Sequence, residues 1–140
     1  LDQATSYDKF MAKRGGTDKP ANNGMLLHPI HLYNKNYYII ARSGDTFKSI
    51  GDEINISYRK IAKYNERNKN DVLNPGEVIY LKKKQKRAEK QYKGRLHIIQ
   101  PGESMYTIAQ HYGIRLKSLY KLNQLTPDYQ IQAGMPLRLY

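Results

Sequence analysis

The chain says one thing twice. Displacing it by 58 positions lays Tyr38–Leu81 on Leu96–Leu139 without a gap, so that "RSGDTFKSI" (Arg42–Ile50) meets "QPGESMYTI" (Gln100–Ile108). Ile40, Gly44, Ile50, Ile56, Lys63, Asn65, Gly76 and Leu81 recur unchanged as Ile98, Gly102, Ile108, Ile114, Lys121, Asn123, Gly134 and Leu139. Conservative pairs fill the register, among them Asp45/Glu103, Thr46/Ser104 and Ile61/Leu119. A fixed period is the signature of a duplicated structural unit. Each unit must therefore fold within about 44 residues, where a single core is marginal without disulfide or metal. The chain has no cysteine, which removes disulfides and thiolate metal sites alike.

The pattern within one copy reads as strand, helix, helix, strand. "YYIIA" and "LHII" are β-branched and aromatic, as strands are. Thr46 and Ser104 follow a glycine and an acid, and a hydroxyl there caps an orphan helix N–H. Phe47, Ile50 and Ile54 in the first copy, and Met105, Ile108, Ala109 and Tyr112 in the second, form one apolar helical face. Asn55 and Gly113, which tolerate the left-handed conformation, end that helix. Ser57 is expected to cap a second helix, with Ile56 and Ile61 at staple spacing. Arg115 takes the cap place in the second copy, where the start is expected to be weaker. The buried stripes are Tyr58, Ile61 and Tyr64, then Leu116, Leu119, Tyr120 and Leu122, and Asn65 and Asn123 close these helices. Pro75–Gly76 and Ala133–Gly134 turn into the closing strands "VIYL" and "PLRLY". The fold class is α+β: two βααβ domains with a preceding arm. Residues 1–29 are arm and linker, 30–81 the first domain with its core at 38–81, 82–95 a connector, and 96–140 the second domain. Around the turn Asn34-Lys35-Asn36, residues near 30–33 are expected to add a hairpin strand to the first copy.

Charge singles out the connector. Of the net +12, residues 82–95 carry eight basic groups against one acid, or +7. Such a block is expected to be a solvated, extended spacer, spanning about 20 Å as a coil. Linking two weak sites in this way raises avidity when both engage one polymer. Polyanion binding through the same block is the alternative function, for a nucleic acid or an anionic envelope polymer, and salt would abolish it. Nucleic acid is the less expected partner, because the charge is so local. Thirteen tyrosines stand against two phenylalanines and no tryptophan. A tyrosine suits a polar ligand surface, though half-buried packing accounts for many equally well.

Each copy resembles the lysin motif, or LysM domain, through "SGDTFKSIG", "KYN" and "NPGEVIYL" in the first and "PGESMYTIA", "KLN" and "AGMPLRL" in the second. Phe47 and Met105 stand where that pattern has leucine, Gly51 where it has alanine, and Glu103–Ser104 where it has Asp-Thr. The resemblance implies binding of glycans that contain N-acetylglucosamine, as in peptidoglycan or chitin. It implies a notch between the loop after the first strand and the loop after the second helix. In the first copy Gly44, Asp45, Thr46 and Phe47 would face Asn70, Asp71, Val72 and Leu73. In the second, Gly102, Glu103, Ser104 and Met105 would face Pro127, Asp128, Tyr129, Gln130 and Ile131. Turn and cap geometry alone would also place Gly44, Thr46 and Asn65. The tandem after an arm is similar to the C-terminal region of bacterial cell-wall glucosaminidases, which implies a cell-envelope location.

No catalytic set is visible. A glycoside hydrolase needs two carboxylates across one cleft; here the acids are mostly single, and Asp52 and Glu53 are helix neighbours pointing apart. His28 and His31 flank Pro29 with no cysteine or nearby carboxylate to complete a metal set, so a structural role is expected. The expectation is a monomeric, non-catalytic binder without cofactor, metal or membrane span. Leu1 is not an initiator methionine, which fits a fragment or trimmed product; any secretion signal would lie upstream.

Overall fold

A computed structural model describes residues 27–140, which divide into two units on either side of Lys83–Lys84. In the first, β1 (His31–Tyr33), β2 (Asn36–Ile40) and β3 (Val78–Tyr80) form an antiparallel sheet in the order β1-β2-β3. Helices α1 (Phe47–Ile54) and α2 (Tyr58–Tyr64) connect β2 to β3. The second unit repeats the plan with β4 (Leu96–Ile98), α3 (Met105–Tyr112), α4 (Leu116–Leu122) and β5 (Pro136–Arg138), its sheet having two strands.

The hairpin expected before the first copy is present. Asn34 and Lys35 both take positive φ, 46° and 57°, so the two-residue turn has the primed geometry that suits strand twist. It sets His31 against Tyr38 and Tyr33 against Asn36. Residues 1–26, including most of the expected arm, lie outside the described residues.

Helix boundaries follow the expected chemistry. Thr46 and Ser104 form full capping boxes with Ser49 and Thr107, and Asn55 and Gly113 close α1 and α3 at φ 62° and 69°. Ser57 occupies the cap place of α2 without a side-chain cap bond, so the expected contrast with Arg115 is absent. The staple carries that helix start: Ile56 and Ile61 are both buried in the first core. Gly51 has a packing reason. A Cβ there would lie 2.5 Å from the Ile56 carbonyl oxygen, where Ala109 in the second copy has room for its methyl.

Asn65 and Asn123 do more than end helices. Asn65 Nδ2 donates to the Ile61 and Tyr80 carbonyls at 2.8 and 2.9 Å, and its Oδ1 accepts from Tyr80 N–H at 2.8 Å. Asn123 repeats this with Leu119 and Arg138. Each amide thus serves the outward backbone groups of the closing strand and ties it to the second helix.

The basic stretch departs from the expected solvated spacer. Lys82 and Lys83 offer carbonyls to Asn36 Nδ2 in the first unit. From Lys84 the chain packs into the second. Lys84 is fully buried, its Nζ donating to Gln110 Oε1 at 2.6 Å. Gln85 exchanges backbone bonds with Gly113 and Arg115, Ala88 N–H donates to Leu139 at 2.7 Å, and Ala88 joins the core. A 3-10 turn follows at Lys90–Tyr92, and Tyr92 packs against the same core. Charge counting misjudged Lys84 because a lysine buries its alkyl stem readily once its ammonium has an acceptor, whereas Lys83, Lys86, Arg87, Lys90, Lys93 and Arg95 stay exposed as expected.

Candidate functional site

The loop after the first strand is built alike in both copies. Gly44 and Gly102 take φ 86° and 85°, a conformation that favours glycine, and the space where a Cβ would stand is open. The next residue folds its carboxylate back on the turn. Asp45 accepts from Arg42 N–H and Glu103 from Gln100 N–H, both at 2.6 Å. Each carboxylate also meets an imidazole, from a different place in the chain. His28 Nε2 lies 2.6 Å from Asp45, and His97 Nε2 lies 2.9 Å from Glu103. His28 precedes the sheet, whereas His97 sits on β4 where the first copy has Ile39.

The other imidazole nitrogens are occupied as well. His28 Nδ1 lies 2.7 Å from Glu53 Oε1, while Glu53 Oε2 accepts the Leu27 and His28 N–H groups. His97 Nδ1 lies 2.8 Å from the Tyr112 hydroxyl. The carboxylates that are distant from His28 in sequence thus arrive by folding, and the structural role expected of that histidine is to pin the chain before β1 onto the first loop. Sequence reasoning missed both pins; Tyr112 as a polar tip on an apolar helical face was the one local signal. The Gln100 N–H, and then His97, hold the Glu103 carboxyl below its usual range. Burial, and behind it the neighbouring Tyr92 and Glu103, raises the Tyr112 hydroxyl.

The second loop differs between copies. In the first, Arg67 grips it: Nε meets Asp71 at 2.9 Å, Nη1 meets Glu77 at 2.7 Å, Nη2 donates to the Val72 carbonyl at 2.9 Å, and the guanidinium stands 5.9 Å from the Phe47 ring centre. The same guanidinium, followed by Asn68 N–H, holds the Asp71 carboxyl low. In the second copy Leu125 replaces that fork and packs on the core, while Asp128 pairs with the Thr126 hydroxyl, which keeps its carboxyl low.

The expected notch residues therefore separate by role. Phe47 and Met105 are buried core residues, as is Leu73, and Ile131 lines the second core; their side chains pack inward and offer little to a sugar. Asp45, Glu103 and Asp71 each turn one carboxylate oxygen to partners within the fold. Thr46 and Ser104 are caps with exposed side chains. What remains open is backbone around Gly44 and Gly102, together with exposed Asn70 and Val72 in one copy and Pro127, Asp128, Tyr129 and Gln130 in the other. Val72 is 80% exposed and Tyr129 48%, which places two large apolar surfaces in water on the second loops. By contrast Tyr37, Tyr80 and Tyr112 are buried, so several tyrosines serve packing.

Residues 39–82 and 97–139 match the LysM domain family. The chain is also similar to an autolysin of Enterococcus faecalis (strain ATCC 700802 / V583), 27% identical over 142 residues that cover 94% of this chain. It spans 18% of that autolysin's length. Among solved structures it resembles the spore cortex-lytic enzyme SleL of Bacillus cereus, at 28% identity and a TM-score of 0.33 over 74% of this chain and 22% of that one. SleL of Bacillus megaterium QM B1551 shows 14% identity and a TM-score of 0.30 over 73% and 22%. The two matched segments cover most of the chain and coincide with the two βααβ repeats: the chain belongs to the LysM domain family, in two tandem copies.

Proposed function

We propose that this chain is a non-catalytic carbohydrate-binding module that holds N-acetylglucosamine-containing strands of peptidoglycan in the cell envelope and targets an attached cell-wall hydrolase. LysM domains bind peptidoglycan and N-acetylglucosamine glycans. The observation that carries the reading is the family match in both repeats, each with a first loop braced by its own histidine. Around Gly44 and Gly102 the backbone is approachable, which suits hydrogen bonds to an acetamide. Val72 and Tyr129 supply apolar faces against which a sugar ring or its methyl would pack. Both notches are proposed as sites, on Gly44, Thr46, Asn70 and Val72 in the first copy and Gly102, Ser104, Pro127, Tyr129 and Gln130 in the second.

The acids support a binding role rather than hydrolysis. Asp45 Oδ2 and Glu53 Oε1 both meet the His28 imidazole, and Glu53 Oε2 accepts the Leu27 and His28 N–H groups, so the pair is turned onto one side chain and does not flank a cleft as hydrolytic carboxylates must. The autolysin likeness suggests the kind of enzyme such a module would serve. The test is retention on insoluble peptidoglycan, competed by chitotetraose, alongside an assay for released reducing ends. Retention with competition and no turnover is expected. Binding that ignores chitotetraose refutes the glycan reading, and turnover by the pure chain refutes the non-catalytic one.

A further inference from the structure

One face of the first unit carries unspent positive charge next to the second loop. An open groove of about 630 Å³ runs along the end of α2 and the start of that loop, lined by Arg59, Lys63, Glu66, Arg67, Lys69 and Asn70 among others. Arg67 belongs to the loop's internal scaffold, its charge met by Asp71 and Glu77. Arg59, Lys63 and Lys69 are exposed and form no ion pair among the described residues. Three cations therefore face one acid, Glu66. The last turn of α2 does not oppose an anion here, because the Ala62 and Lys63 carbonyls already accept from the N–H groups of Asn65, Glu66 and Arg67.

The groove shares Asn70 with the loop proposed to face the sugar, so a polymer seated there also passes these cations. The second copy is altered at this place. Lys117 and Lys121 match Arg59 and Lys63, but Pro127 replaces Lys69 and Asp128 replaces Asn70, which removes a positive charge and adds a negative one. Resting on the glycan-binding reading above, we propose that this groove takes a carboxylate carried by the glycan strand, so that the first copy selects an acidic strand over a neutral one. The fork of Arg67, which would match a carboxylate or a phosphate alike, is already engaged by Asp71 and Glu77, so the groove meets an anion with the exposed charges of Arg59, Lys63 and Lys69.

The experiment titrates the whole chain, and the triple variant Arg59→Gln/Lys63→Gln/Lys69→Gln, followed by backbone NMR. The probes are chitotetraose, an acidic tetrasaccharide alternating N-acetylglucosamine with N-acetylmuramic acid, and a glycerol phosphate oligomer. All three substitutions are at exposed positions, and an unchanged spectrum of the free variant verifies its fold. The variant is expected to bind the acidic tetrasaccharide about tenfold more weakly at low salt, with the gap closing near 0.5 M. Chitotetraose is expected to bind both proteins equally. Equal affinity of both proteins for the acidic probe overturns the groove while leaving glycan binding intact. A loss confined to the glycerol phosphate oligomer also overturns it, in favour of a phosphate polymer. Failure of both sugars to bind even the unmodified chain refutes the glycan reading itself.

Discussion

Truncating the same asparagine in each copy should produce unequal damage. Asn65→Ala removes three bonds whose partners, Tyr80 N–H, Tyr80 C=O and Ile61 C=O, lie in residues at most 1% exposed. Water cannot take the place of the amide, so the Tyr80 groups pay their desolvation in full, at about 1–3 kcal/mol each. A loss of about 3 kcal/mol is expected, a large part of the stability of so small a domain. Asn123→Ala deletes the equivalent three bonds, but Asn123 is half-buried and Arg138 is exposed. Water reaches the two Arg138 groups in place of the amide, while only the carbonyl of buried Leu119 goes without it, and about 1 kcal/mol should be lost. Native-state hydrogen exchange reads each unit separately, through the Ile50 and Ile108 amides that donate to Thr46 and Ser104 at 3.0 Å. Equal losses in the two units, or a loss below about 1 kcal/mol for Asn65→Ala, would refute the claim that burial of the strap sets its worth.

Three further outcomes can be measured. Gly51→Ala should destabilise the first unit by about 1 kcal/mol, since crowding the Ile56 carbonyl outweighs the helix propensity gained; a higher urea midpoint would contradict this. Arg67→Met should let the Asp71 carboxyl titrate closer to its ordinary 3.8, followed by carboxyl NMR, and speed exchange of the Asn68 and Asp71 amides; no movement of either would show that the fork does not brace the loop. Glu103, with its carboxyl held low in the fold, adds stability that is complete above its usual 4.5 and fades as pH falls through the lower folded value. Glu103→Gln should therefore flatten the acid limb of the second unit's unfolding, and an unchanged limb would count against the His97 and Gln100 bonds.

Local chemistry made much of the fold legible. The 58-residue register fixed two equal units before any contact was known. Thr46 and Ser104, Asn55 and Gly113, Gly76 and Gly134 each act through the few residues beside them, and a cap or a left-handed turn is decided at that range. The hairpin turn at Asn34-Lys35 was legible for the same reason.

The site was less legible, because its contacts close over long stretches of chain. Nothing near Asp45 announces that His28 lies against it, or that the second copy recruits His97 from another position for the same work. Arg67 looks like any surface cation until Asp71, Glu77 and Val72 converge on it. Phe47 resembles a sugar-facing aromatic in sequence, yet the core absorbs it entirely. Lys84 counts as solvated charge until Gln110 accepts its ammonium inside the second unit. Sequence periodicity and turn chemistry thus determined the elements and their order, since those are short-range properties of the backbone. Which polar groups are consumed by the fold and which stay open to a ligand was decided only by tertiary packing, which brings partners together across the chain and sets how much water remains between them.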